Sequence, residues 1–418
     1  MSDVEGRTVR VLHAHATRHN VGDDAIVMAI HGLLASTLGQ SVRFTDLTRD
    51  LLSRPAEPID RFIPLYHYHR MRWWPTLLRN LLASRCVVIG GGEIVTGAIE
   101  FLGLGLLGLA AGRPVLCLGV GANFEGTTRL KRAYARLVYR RAHHVTRDPA
   151  AALALRELGV PSAQVTASWD VVLSLPIPND GRERSSVVGL SLRSPQEYHP
   201  LGEPELRRIA AVLDEVVARG GRVLLIPFLH PDSPYETARL AVDPMATDTA
   251  VLDRCRSYMT RPDQAELYQG DMSPNALIGV MQGLSGLLAM RLHASILSLK
   301  AGLRPIAIGY APKIGRTLHH IDPDIPIYRI PEIDPARVAL QLMTPQPGPG
   351  PEALRALGER IQRDVNAAVE AAGESSGPIG TAIRFPLVLF ALLAHALIQF
   401  YFDLPPFRRW FGRARGRN

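Results

Sequence analysis

Over roughly the first 340 residues, short runs of β-branched and apolar residues alternate with longer segments whose apolar positions recur every three or four residues. Alternation of a period-free apolar run with a helical period predicts parallel α/β architecture, because strands covered on both faces read as continuous apolar runs. The runs predict strands over 8–13, 41–45, 86–89, 115–119 and 144–146, forming one Rossmann-like unit. After Pro176-Ile177-Pro178-Asn179-Asp180-Gly181, a linker by composition, a second series is predicted over 187–192, 222–227, 286–289, 305–309 and 327–330. The reading is therefore two Rossmann-like domains facing a cleft, 1–178 and 185–345. A Pro/Gly hinge at 345–351 leads into an amphipathic helix within 349–373, and a further segment occupies 381–418. No solenoid-type repeat is present.

That last segment has a different pattern. Residues 385–402 are apolar except for His395 and Gln399, and Arg408-Arg409-Trp410-Phe411 follows. As a helix it would be about 27 Å long, just short of the ~30 Å hydrocarbon core. His395, Gln399 and Asp403 fall every four residues along one stripe, which points to a helix lying in the interface or packed on a partner, with docking on the body as the plain alternative.

Composition sharpens this picture. The chain has 418 residues, 47% hydrophobic and 21% charged, which excludes a disordered or fibrous chain. The formal net charge is +8, but six arginines (Arg384, Arg408, Arg409, Arg413, Arg415, Arg417) against Asp403 place five of those charges in the tail. A nearly balanced body argues against nucleic acid, whose binders spread cations along a groove; the tail instead suits an anionic membrane surface on the cytoplasmic side. Cys86, Cys117 and Cys255 are far apart and form no CxxC pair, so neither a disulfide framework nor a thiolate metal site is expected. The N-terminus lacks the layout of a signal peptide, and a cytoplasmic protein, peripheral or monotopic on the membrane, is expected.

Ligands of open α/β folds sit at the carboxyl ends of the strands, so candidate chemistry is sought there. The first strand runs into a loop with His15, Arg18, His19 and Asn20-Val21-Gly22-Asp23-Asp24, where helix N-terminal amides can hold an anion or a sugar hydroxyl, although Asn20 or Asp23 can equally be a cap. Strand 86–89 ends in Gly90-Gly91-Gly92-Glu93, which is neither a GxGxxG nor a Walker loop. Arg147-Asp148 reads as a buried pair or as a ligand contact. In the second unit Arg193, Arg291, His293, Tyr310 and Lys313 fall at strand ends, and converging cations beside a helix N-terminus suit a small dianion such as a carboxylate-phosphate compound.

Together, Asn20-Val21-Gly22-Asp23-Asp24-Ala25-Ile26, Val88-Ile89-Gly90-Gly91-Gly92, Arg147-Asp148, Ser191-Leu192-Arg193, Arg291-Leu292-His293-Ala294 and Tyr310-Ala311-Pro312-Lys313 resemble the polysaccharide pyruvyltransferase family, in collinear order over about residues 8–320. The resemblance implies a fold like that of GT-B glycosyltransferases and transfer of a pyruvyl group from phosphoenolpyruvate to sugar hydroxyls as a ketal. It implies that Arg193, Arg291 and His293 are the donor-binding and catalytic positions. Taken with the strand-end placement of the remaining residues, His293 is the expected acid, Asp23 or Asp24 the base, Arg193, Arg291, Lys313 and Tyr310 the donor site, and His15, Arg18, Asn20, Gly91, Gly92 and Glu93 the acceptor side. No metal and no cofactor beyond phosphoenolpyruvate as co-substrate are expected, and the acceptor is a polysaccharide or lipid-linked glycan precursor. Family members often have glycines before the Asn-x-Gly-Asp stretch, where this loop reads Ala14-His15-Ala16-Thr17-Arg18; the departure bears on the acceptor rather than the donor. The competing readings are a GT-B glycosyltransferase using a nucleotide sugar and a non-catalytic membrane partner of a glycan-assembly complex.

Overall fold

The computed structural model describes residues 8–15, 20–39, 41–48, 59–64, 74–177, 183–193, 201–229, 247–344 and 346–375, with 386–388, 390–391 and 393–394. The N-terminal unit contains β1 (Val9–His15), β2 (Val42–Thr48), β3 (Ile59–Pro64), β4 (Cys86–Val95), β5 (Val115–Ala122), β6 (His143–Thr146) and β7 (Val165–Ala167). Its helices are α1 (Val21–Leu38), α2 (Trp74–Ala83), α3 (Ile99–Ala110), α4 (Arg129–Tyr139) and α5 (Pro149–Leu158). The second unit has strands β8 (Val187–Ser191), β9 (Arg222–Leu225), β10 (Ala265–Leu267), β11 (Gly286–Ala289), β12 (Ile306–Ile308) and β13 (Ile327–Tyr328). Between and after them run α6 (Glu203–Ala218), α7 (Asp248–Arg256), α8 (Pro274–Gln282), α9 (Leu292–Lys300), α10 (Pro312–Ile321), α11 (Pro335–Met343) and α12 (Pro351–Ser375).

Among the described residues every pairing between these strands is parallel, in the orders β3-β2-β1-β4-β5-β6-β7 and β10-β9-β8-β11-β12-β13. In both sheets the order reverses beside the first strand of the unit, which puts a ligand crevice at the ends of β1 and β4 and at those of β8 and β11. The ten strands read from apolar runs are present with ends shifted by a few residues. β3, β7 and β10 are additional, and all three lie at sheet edges. An edge strand is covered less and kept short, so it carries no continuous apolar run to betray it; β7 and β10 have three residues each.

The two units share packed side chains at the hinge side. Val21, Ile26 and Leu33 of α1 belong to the same apolar cluster as Leu277 and Met281 of α8 and Leu292 and Ile296 of α9. α12 returns to the N-terminal unit: Leu354, Ile361, Val365, Ala368 and Ala372 are buried there at helical spacing. Gln362 and Asn366 of α12 hydrogen-bond Thr37 of α1 at 3.0 and 2.7 Å, and Ser168 donates to Asp364 at 2.6 Å. α1 is, among the described residues, the one helix long and apolar enough to cross a membrane, with a mean hydropathy of 1.3. Its burial between the two units makes it a core helix.

Most of segment 385–418, including His395, Gln399, Asp403 and the arginine tail, lies outside the described residues. The described residues between 386 and 394 are helical; Val388 and Ala391 are buried against the N-terminal unit, while Leu387, Phe390 and Leu393 are exposed. The three cysteines are free and buried.

Candidate functional site

α1 starts where β1 has crossed the sheet. Asn20 caps it, its Oδ1 accepting from the Asp23 amide at 2.9 Å and its Nδ2 donating to Asp23 Oδ2. The capping alternative is thus realised, and it coexists with a site position. The Val21 amide donates to Phe228 O at 2.9 Å, which ties the first turn of α1 to the segment after β9. Gly22 is small for a spatial reason. A Cβ there would lie 2.4 Å from His293 Nδ1, so the ring of the second unit seats on the bare backbone of the first. Gly22→Ala is therefore expected to push the His293 ring from its seat and to cost about 1–3 kcal/mol of stability by overpacking; denaturant unfolding checks it.

His293 lies in the first turn of α9, just after β11, and its other ring nitrogen, Nε2, faces Asp170 Oδ2 at 3.6 Å. That is an ion-pair distance, longer than a made hydrogen bond. Asp170 is fully buried and caps a short 3₁₀ turn, its Oδ1 accepting from the Val172 amide at 3.0 Å. Burial on its own raises the Asp170 carboxyl, but His293, the Arg147 charge and the Val172 amide outweigh it and hold the group below the ordinary aspartate value.

Arg291 is the residue before α9 and carries no capping bond to it, so the first amides of α9 stay available to an anion. Its Nε donates to Asp248 Oδ2 at 3.0 Å and its Nη2 to Asp248 Oδ1, a two-pronged fork that leaves the Nη1 side for a ligand. Asp248 opens α7, is fully buried, and also accepts from the amides of Phe228 and Leu229 at 3.1 Å each. From the end of β8, Arg193 Nη1 donates to Tyr310 Oη at 2.7 Å, with its guanidinium 5.4 Å from the Tyr310 ring centre. Lys313, in the first turn of α10, donates to Glu93 Oε2 at 3.0 Å. Glu93 follows Gly91 and Gly92, whose φ values of +89° and +79° are left-handed backbone that favours glycine. The buried Arg147 stands 4.0 Å from Glu93 Oε2 and 3.7 Å from Asp148 Oδ2. Burial raises the Glu93 carboxyl, and Lys313 and Arg147 more than reverse the effect, so it is held below the ordinary glutamate value.

These residues line one cavity of about 230 Å³, formed by Asn20, Asp23, Gly92, Glu93, Arg147, Arg193, Phe228, Arg291, Leu292, His293, Tyr310 and Lys313. Four cations and two carboxylates line it, with buried Asp248 and Asp148 behind Arg291 and Arg147, and its volume lies below the ~300–1,000 Å³ usual for drug-sized ligands. A larger cavity of about 910 Å³ lies on the hinge side between α1 and α12, but it takes no residue from the carboxyl end of a strand.

Nine of the residues expected from the sequence meet in the smaller cavity: Asn20, Asp23, Gly92, Glu93, Arg193, Arg291, His293, Tyr310 and Lys313. Asp24 and Gly91 do not line it; Gly91 instead lets β4 pass close to Ile26 of α1. His15 is corrected: it is 2% exposed and turned onto buried Asp46 at 3.2 Å, because residues 13 and 15 of β1 share the sheet face that α1 covers. Arg18 lies outside the described residues. Asp170 and Asp248 escape sequence reasoning, since each is a lone acid next to a helical turn whose side-chain partner, His293 or Arg291, lies far away in sequence. Arg147 is buried beside Asp148, as one of its two readings had it, and it also lines the cavity.

A family model described as polysaccharide pyruvyl transferase matches residues 20–312. A comparison with curated proteins found no match. Among solved structures, the chain is similar to a putative UDP-N-acetylglucosamine 2-epimerase from Listeria monocytogenes (13% identity, TM-score 0.55, covering 87% of this chain and 95% of that one). It is also similar to Anabaena HepE in complex with UDP and glucose (11%, 0.52, 87% and 98%) and to the Neisseria meningitidis UDP-GlcNAc 2-epimerase bound to UDP-GlcNAc (11%, 0.51, 87% and 98%). These likenesses show the fold, which is GT-B: two Rossmann-like units facing a cleft.

Proposed function

The chain belongs to the polysaccharide pyruvyl transferase family, and from that premise we propose that it moves the pyruvyl group of phosphoenolpyruvate onto hydroxyls of a glycan, closing a pyruvate ketal. One observation carries the donor assignment. Arg147, Arg193, Arg291 and Lys313 converge with His293 on a single small cavity at the strand ends of both sheets. A carboxylate and a phosphate three bonds apart need such an array, whereas a neutral sugar does not.

In the proposed reaction Arg193 and Arg291 hold the carboxylate and phosphate, with Lys313 and Arg147 beside them. His293 delivers a proton to the methylene carbon, so the C=C pair forms the new C–H bond and C2 becomes cationic. A sugar hydroxyl attacks C2 and passes its proton to Asp23. Cleavage of the C2–O bond releases phosphate, and a second hydroxyl closes the ketal. Two hydroxyl protons leave the acceptor: one replaces that spent on the methylene carbon, and the other departs with phosphate. Asp170 supports this as a positioning residue, its carboxylate facing Nε2 at 3.6 Å while Nδ1 lies beside the bare Gly22 backbone.

The acceptor in this reading is a lipid-linked glycan precursor reached from the cytoplasmic face. Exposed Leu387, Phe390 and Leu393, followed by the Arg-rich tail, support a membrane role for 385–418.

The rival is nucleotide-sugar chemistry, because the similar HepE structure is in complex with UDP and one fold hosts both reactions. Thermal unfolding of the full chain separates them. Phosphoenolpyruvate at about a hundredfold excess over Kd is expected to stabilise by ~2.7 kcal/mol, and UDP to give no shift. The reverse pattern would overturn the donor assignment.

A further inference from the structure

Outside the cleft, among the described residues, one cluster of metal-ligating groups is not used by the chemistry above. His13 on β1, His31 on α1 and Asp46 on β2 converge between the first sheet and α1, with His13 directly opposite Asp46 in the β1–β2 register. All three are buried, His13 and Asp46 completely. We propose that His13 Nδ1, His31 Nε2 and Asp46 Oδ1 form a binding site for a divalent zinc ion.

Two independent observations carry it. The first is the triangle of ligand atoms. Nδ1 to Nε2 is 3.1 Å, Nδ1 to Oδ1 is 3.6 Å and Nε2 to Oδ1 is 3.5 Å. A tetrahedral ion with bonds of about 2.0–2.1 Å holds its ligand atoms ~3.3–3.4 Å apart, within the spread observed, and imidazole with carboxylate is a zinc ligand set. The second is the orphaned oxygen. Asp46 Oδ1 is fully buried and makes no hydrogen bond among the described residues, although buried carboxylate oxygens almost always make one. Its neighbour Oδ2 is held by His15 Nε2 at 3.2 Å, the arrangement by which an outer imidazole orients a ligating carboxylate. His31 is further fixed by stacking on Phe44, 3.7 Å between ring centres.

The ion would join α1 to β1 and β2 two to three turns behind the residues that α1 presents to the cleft, Asn20, Gly22 and Asp23. The proposal is independent of which donor the cleft takes. The site also explains why this chain has His13, His15 and His31 where the reaction needs none of them.

The test uses the full chain purified without immobilised metal. The wild type is expected to retain one equivalent of zinc per chain by elemental analysis. After metal removal it should take up Co²⁺ with the visible absorption of tetrahedral coordination. Asp46→Asn and His31→Gln should lose both signals while keeping a cooperative thermal transition. His15→Ala should keep the stoichiometry but weaken zinc affinity by about 10–100-fold in competition with a chromophoric chelator. If Asp46→Asn fails to fold, His31→Gln at the cluster's edge decides alone. Absence of zinc uptake by the wild type, or undiminished uptake by His31→Gln, would overturn the site.

Discussion

His293→Gln is expected to lower kcat for pyruvyl transfer by about 10²–10⁴, the range spanned by loss of a positioned acid, with a much smaller change in donor KM. The argument rests on the surroundings of the ring rather than on its identity. One nitrogen lies against the first turn of α1 at Gly22, and the other faces an aspartate with no exposure to solvent. Glutamine fills similar space and keeps a polar end but carries no transferable proton, so the donor remains bound while the chemical step slows. Asp170→Asn separates positioning from catalysis: it leaves the His293 imidazole in place, so its expected signature is a smaller fall in kcat with an altered pH–rate profile. Asp170 titrates below the ordinary aspartate value of 3.8, so its ionised form contributes fully above that pH and the contribution is lost as pH falls through the lower folded value. Single-turnover measurements with a competent acceptor check both variants; a His293→Gln enzyme with wild-type kcat would sink the acid assignment.

Asp248→Ala is expected to cost about 3–5 kcal/mol of stability, read from denaturant unfolding, and to weaken donor binding as well. Removing one partner of a buried pair leaves the other charge uncompensated, and that loss exceeds the net worth of the pair itself. Here the carboxylate holds three things at once: the guanidinium of Arg291 and the amides of Phe228 and Leu229. The Phe228 carbonyl in turn accepts from Val21 at the start of α1, so a change at residue 248 propagates to both walls of the cleft. The double variant Asp248→Ala/Arg291→Met should recover part of the stability and none of the activity, since it removes the stranded charge but not the need for a cation. Equal stability of Asp248→Ala and wild type would refute this account of the fork.

The cations at strand ends were legible because two regularities act together. Parallel strands announce themselves as apolar runs, and their carboxyl ends are where ligands bind, so Arg193, Arg291, His293 and Lys313 stand out by position as well as by type. Their partners were hidden for a physical reason. An acid that faces a distant side chain needs no periodicity and no motif, only a place in three dimensions; Asp170 meets His293 across 123 residues and Asp248 meets Arg291 across 43. His15 misled for the converse reason. It sits next to the loop in sequence, yet the strand alternation that pairs it with His13 turns it inward, onto Asp46.

By itself the sequence determined the layered α/β character, the two series of strands and the separation of a charge-balanced body from a basic, apolar tail, because these follow from local patterning that every window of the chain carries. Only the tertiary structure decided which carboxylates answer the cations, that Gly22 is bare to admit His293, and that β3, β7 and β10 complete the sheets at their edges. Those outcomes depend on distances between residues far apart in the chain, and no local pattern encodes a distance.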